Sequence, residues 1–160
     1  MLNDVGRDQI RSEIEQIEDL FVRFGPLLSK SETGEPDIVE LSALGSVLHS
    51  FYTGLEGIFL TMVKRVDADV PAGDRWHMDL LDRVTMRTDR RGGVVSESTK
   101  QELEAYLAFR HFFRHAYTYI LEWNEMQDLV EGLREIWAMV KKEIETFLET
   151  EGKEPDQTTR

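Results

Sequence analysis

Between Ser98 and Thr150 the chain contains no proline and a single glycine, Gly132, while apolar residues recur every three or four positions. That spacing marks an α-helix with one face turned to a core. Built as one helix the stretch would run about 80 Å at 1.5 Å per residue, too long for a compact domain of this size. The pattern therefore predicts two packed helices with a break or sharp bend near Asn124 to Asp128, and it requires the rest of the chain to supply their partners.

Those partners are legible upstream. Ile10, Ile14, Ile17, Leu20, Phe21 and Phe24 share helical spacing, which predicts a first helix from Asp4 to about Phe24, ended by Gly25-Pro26. A polar loop from Ser29 to Pro36 follows. Asp37 is placed to cap a second helix that carries Leu44, Leu48, Phe51, Leu55, Ile58 and Phe59 to about Val66. Gly45, Gly54 and Gly57 each cost about 1 kcal/mol inside a helix, so they predict close approach by a neighbouring helix. His49 on this helix reads as a core-edge histidine. Asp74 is the expected cap of a short third helix through Trp76, Leu80, Leu81 and Val84, and Ser98 with Gln101 reads as a capping box for the fourth. The arginines between them, Arg83, Arg87, Arg90 and Arg91, read as a solvated helix end, with a supporting surface for RNA phosphates as the other reading. There is no alternating strand pattern, no internal repeat and no glycine-rich phosphate loop. The expected fold is an all-α, up-down bundle of four to five helices over residues 1–150, followed by a disordered polar tail at 151–160.

The absence of cysteine removes disulfides, thiolate metal sites and a cysteine nucleophile. No apolar run approaches the ~20 residues of a membrane span, and the first residues lack the pattern of a signal peptide, so a cytoplasmic protein without a membrane partner is expected. A net charge of −12 argues against broad affinity for nucleic acid and against DNA as a partner. Screening over roughly 8 Å still permits a local basic site.

One such site stands out. Residues 109–117 read Phe-Arg-His-Phe-Phe-Arg-His-Ala-Tyr. With Arg110 at zero on an ideal helix, Tyr117 falls at about 340°, Arg114 at about 40°, His111 at about 100° and His115 at about 140°, one polar sector opposite Phe109, Phe112, Phe113, Ala116 and Ile120. Three uses fit these residue types. His111 and His115 have the i, i+4 spacing of helical zinc ligands, but position 112 is Phe where a hydrolase carries its Glu, and Arg110 and Arg114 would repel a cation, so no metal or cofactor is expected. Histidine titrating near neutrality can move the proton of a ribose 2′-hydroxyl or of a leaving 5′-oxygen, while arginine holds the phosphate, so the cluster also suits metal-independent RNA cleavage. The third use is packing and ion pairing alone. For cleavage, the angle of about 140° between Arg110 and His115 demands a bent helix or a second subunit across a two-fold axis.

Arg110, four residues, His115, one residue and Tyr117 resembles the motif of the HEPN superfamily, and specifically of HepT-like proteins. The polar residue after the arginine is matched by His111. The stretch Leu48 to Tyr52, the pair Trp76-His77 and the approach Tyr106 to Arg110 extend the resemblance over roughly residues 5–150. The resemblance implies a metal-independent endoribonuclease toxin of a toxin–antitoxin pair, acting as a homodimer. It further implies that Arg110 contacts the phosphate, that His115 is the acid/base group, and that Tyr117 accepts AMP from a partner minimal nucleotidyltransferase antitoxin. His111 and Arg114 enter as supporting phosphate contacts. The competing expectation is a catalytically inactive helical subunit that docks substrate or nucleotide for a nucleotidyltransferase.

Overall fold

In the computed structural model, which describes residues 1–117 and 120–151, six α-helices follow one another: α1 (Asp4–Arg23), α2 (Gly25–Ser31), α3 (Ile38–Met62), α4 (Trp76–Thr85), α5 (Glu97–His115) and α6 (Trp123–Glu151). One π-helical turn, Val63–Asp67, extends α3. Five of these helices correspond to expected ones. The sixth, α2, starts at the expected stop Gly25-Pro26 and takes up the first three residues of the expected loop, because Pro26 in the first turn of a helix lacks an N–H that would be unpaired there in any case. The described residues form no strand, and none of their helices is long and apolar enough to cross a membrane. Glu151 ends α6; the remainder of the expected polar tail lies outside the described residues.

The helix starts follow local chemistry. Asn3 caps α1 by accepting from the Gly6 amide at 2.9 Å. Asp37 and Glu40 form a reciprocal capping box on α3, as expected for Asp37. Two caps differ from expectation. At α4 the turn closes through the backbone, Trp76 N–H to Gly73 carbonyl at 3.3 Å, with Gly73 at φ 101°, and Asp74 makes no cap. Ser96, not Ser98, caps α5, since Glu143 of α6 accepts from both the Ser96 amide and the Thr99 hydroxyl and draws the helix start two residues earlier.

Helix α3 is central and touches all five other α-helices. Its Leu44, Leu48, Phe51, Tyr52, Leu55, Ile58 and Phe59 are fully buried, and Phe51 meets Trp137 of α6 edge-on. The glycines have the predicted reason. A Cβ on Gly54 would lie 2.8 Å from Ile17 of α1, and one on Gly45 would lie 2.7 Å from the Phe113 ring of α5.

The chain breaks earlier than Asn124 to Asp128. Helix α5 stops at His115, where Ala116 turns extended (φ −96°, ψ 148°), and Leu121 is buried in the connection against the Gly45 side of α3. Tyr117 consequently lies off the helix, and Ile120, expected in the core, is 43% exposed. Phe112 is also turned out, at 41%. The arginine run likewise departs from the solvated reading. The Arg91 side chain is wholly buried: Nε and Nη2 donate to Asp67 at 2.9 and 2.8 Å, and further bonds reach the carbonyls of Arg83, Met86 and Gly92. Arg83 pairs with Asp69, Arg90 donates to the Val66 carbonyl, and Arg87 alone of the four is an exposed side chain without such a bond among the described residues.

Candidate functional site

Arg110 sits on the side of α5 that packs against α3, so it points inward where the helical wheel placed it with the outward polar sector. Its partner explains why. Glu56 is the sole acidic residue between Glu40 and Asp67, on a helix that is otherwise strongly apolar, and it is buried. A buried carboxylate needs matched charge and hydrogen bonds. Glu56 Oε1 lies 3.3 Å from Arg110 Nη2, and Oε2 accepts from His77 Nδ1 at 2.5 Å. Arg110 Nε donates to the Thr53 hydroxyl at 3.1 Å. The His77 ring in turn lies against its neighbour Trp76, with centroids 3.6 Å apart. Residues far apart in sequence, on α3, α4 and α5, thus converge on one carboxylate.

Above this cluster opens a cleft of about 760 Å³. Helix α1 forms one wall through Glu13, Gln16, Leu20 and Arg23; α3 contributes His49, Thr53 and Glu56; Trp76 and Arg110 complete the lining. His49 is half-buried beside the Phe113 ring, a core-edge position as expected. Burial, reinforced by the positive charges of Arg110 and Arg114 and opposed by Glu56, holds its pKa below the usual histidine value. Burial and the nearby Glu56 charge push the Tyr52 hydroxyl upward, so it stays protonated.

The other motif residues lie elsewhere. His111, Arg114 and His115 are exposed on the last turn and a half of α5 and do not line the cleft; the two imidazoles stand edge to face with centroids 5.0 Å apart. Arg114 and His115 also lie where a helix C-terminus favours positive charge. Tyr117 is 73% exposed just beyond the helix end. The structure therefore brings His111 and His115 together, and it sets Arg110 apart from them in the cleft. Among the described residues, no group of three His, Asp or Glu side chains is arranged to hold a metal ion. Glu56, Thr53 and His77 are site residues that spacing alone did not single out. The available signal was the lone carboxylate on the apolar face of α3.

The bundle and the motif segment define a class that comparison with protein families identifies directly. The family described as HepT-like protein matches residues 43–151, from the second turn of α3 to the end of α6, and the chain belongs to that family. Neither curated proteins nor solved structures give a significant match.

Proposed function

We propose that this HepT-like protein is a metal-independent endoribonuclease, the toxin of a toxin–antitoxin pair, working as a homodimer. Arg110 receives the scissile phosphate, His115 moves the protons of the 2′-hydroxyl and leaving 5′-oxygen, and His111 and Arg114 add phosphate contacts. Tyr117 is the site at which a cognate minimal nucleotidyltransferase attaches AMP, adding bulk and negative charge where RNA must approach. The observation that carries this reading is the arrangement along α5: a guanidinium held at a cleft wall and, from the next residue to about a turn and a half further on, two solvent-facing imidazoles, with an exposed tyrosine just past the helix end. A second copy across a two-fold axis supplies the missing convergence, since each cleft then gains access to histidines other than its own.

Two observations favour a second reading, a helical binding subunit without catalytic activity. Glu56 partly neutralises Arg110, and His115 does not share its cleft.

Incubation of the purified protein with unstructured RNA in EDTA separates the two. Cleavage by the wild type, reduced roughly a hundredfold or more in Arg110→Ala and His115→Ala, is the expected result. Intact RNA, or equal cutting by both variants, overturns the nuclease reading. Intact mass after incubation with a nucleotidyltransferase and ATP tests the tyrosine: an added AMP that disappears in Tyr117→Phe is expected, and one that persists in the variant removes Tyr117 from the scheme.

A further inference from the structure

Among the described residues two arginines are buried, and the difference between them points to a role for Glu56. Arg91 is closed: all five of its N–H groups are directed to Asp67 and to three backbone carbonyls. Such an arrangement leaves nothing for a ligand. Arg110 is held at two atoms only, Nε by a hydrogen bond to Thr53 and Nη2 by an ion pair with Glu56 at 3.3 Å, and among the described residues Nη1 has neither while the side chain lines the cleft. Thr53 and Glu56 are one helical turn apart on α3, so both grips come from one rigid element. The guanidinium is planar, and fixing two of its nitrogens fixes the direction of the third.

Glu56 is itself held. Its second oxygen accepts from His77, whose ring is backed by Trp76, so the carboxylate cannot swing to follow Arg110. Side-chain exposures of 5% for Glu56 and 11% for Arg110 keep water from competing for either oxygen.

We propose that Glu56, anchored by His77, is a positioning residue that orients the Arg110 guanidinium with Nη1 presented to the cleft for a phosphate oxygen. This rests on the nuclease reading above. Holding the group before substrate arrives removes a side-chain ordering cost that would otherwise fall on the reacting complex, and small errors in such placement can cost on the order of a hundredfold in rate. Glu56 touches no substrate in this scheme; it acts through Arg110.

The test compares wild type, Glu56→Gln, His77→Ala and the double variant by two readouts. The first is RNA cleavage in EDTA. The second is the side-chain ¹⁵N resonance of Arg110, assigned by its loss in Arg110→Lys. Glu56→Gln is expected to lower kcat roughly ten- to a hundredfold with KM changed by less than about threefold, and to release the restricted rotation of the guanidinium. His77→Ala should give a smaller loss in kcat, and the double variant should be no worse than Glu56→Gln, because both act along one chain of contacts. An unchanged Arg110 resonance in Glu56→Gln, an unchanged kcat, or losses that simply add overturns the proposal. If Glu56→Gln does not fold, His77→Ala, at a partly exposed position, carries the same two readouts. If the wild type leaves RNA intact the nuclease reading fails by itself, and the Arg110 resonance still decides whether Glu56 orients that side chain.

Discussion

At the scale of single residues, His49 reports on the charge balance around Arg110. Burial is the largest influence lowering the His49 pKa from 6.5, the charges of Arg110 and Arg114 lower it further, and that of Glu56 opposes them. A histidine held neutral in the native state is protonated first in the unfolded chain as the pH falls. The stability it contributes is therefore present above about pH 6.5 and is lost as the pH drops through its lower native value. Thermal unfolding of wild type and His49→Gln between pH 7.5 and 5.5 should show the variant with a shallower fall on acidification. Parallel curves would mean that His49 is not held neutral by the fold. The neighbouring carboxylate illustrates what could be read in advance and what could not. A lone Glu56 on an apolar helix face is visible in the sequence as an anomaly, but its partners are 21 and 54 positions away on other helices, and no local periodicity connects them.

At the scale of helices, packing distances separate glycines that sequence treats alike. Gly45 and Gly57 both interrupt α3. A Cβ on Gly45 would stand 2.7 Å from the Phe113 ring and 3.2 Å from Leu121, both packed between α3 and the end of α5. At Gly57 the nearest atoms are those of the Glu13 carboxyl group, at 3.3 Å, the end of a flexible chain. Each Gly→Ala change relieves about 1 kcal/mol of helix propensity. Overpacking against a rigid ring costs about 1–3 kcal/mol, so Gly45→Ala is expected to destabilise, whereas Gly57→Ala should be neutral or stabilise by up to about 1 kcal/mol. Urea unfolding measures both, and a stabilising Gly45→Ala would show that the end of α5 yields freely. That end matters for the proposed function, because Phe113 lies between Arg110 and the exposed His115 in sequence. The same contact explains why α5 stops where it does: Leu121 is more favourably buried in a connection than carried round on a continuing helix, which outweighs the unbroken helical pattern of the sequence.

For the whole molecule, the relevant quantity is how many copies share a site. The 18.6 kDa chain carries a net charge of −12, yet Arg110, Arg114, His111 and His115 cluster at one end of one helix. In the proposed homodimer, pairing that end across a two-fold axis would double the local positive charge and place histidines near a neighbouring arginine. Equilibrium sedimentation at micromolar concentration should give twice the chain mass. A single 18.6 kDa species would rule out the homodimer and with it the shared site. Helix α1 lies outside the span matched by the HepT-like family and forms a wall of the cleft.

The all-α class, five of the six helices, the Asp37 cap, the close approaches at Gly45, Gly54 and Gly57, and the HepT-like resemblance were all determined by sequence. Each rests on spacing within a few turns or on a short motif, and helical periodicity is a local property. Tertiary structure decided the rest: where α5 ends, that Arg91 is a buried clamp, and that Arg110 turns inward to Glu56 and His77, leaving His115 in solvent. A wheel drawn from one helix assigns faces by polarity. Burial of an arginine is settled by whether a carboxylate waits on the opposing helix, and that is known only once the helices have packed.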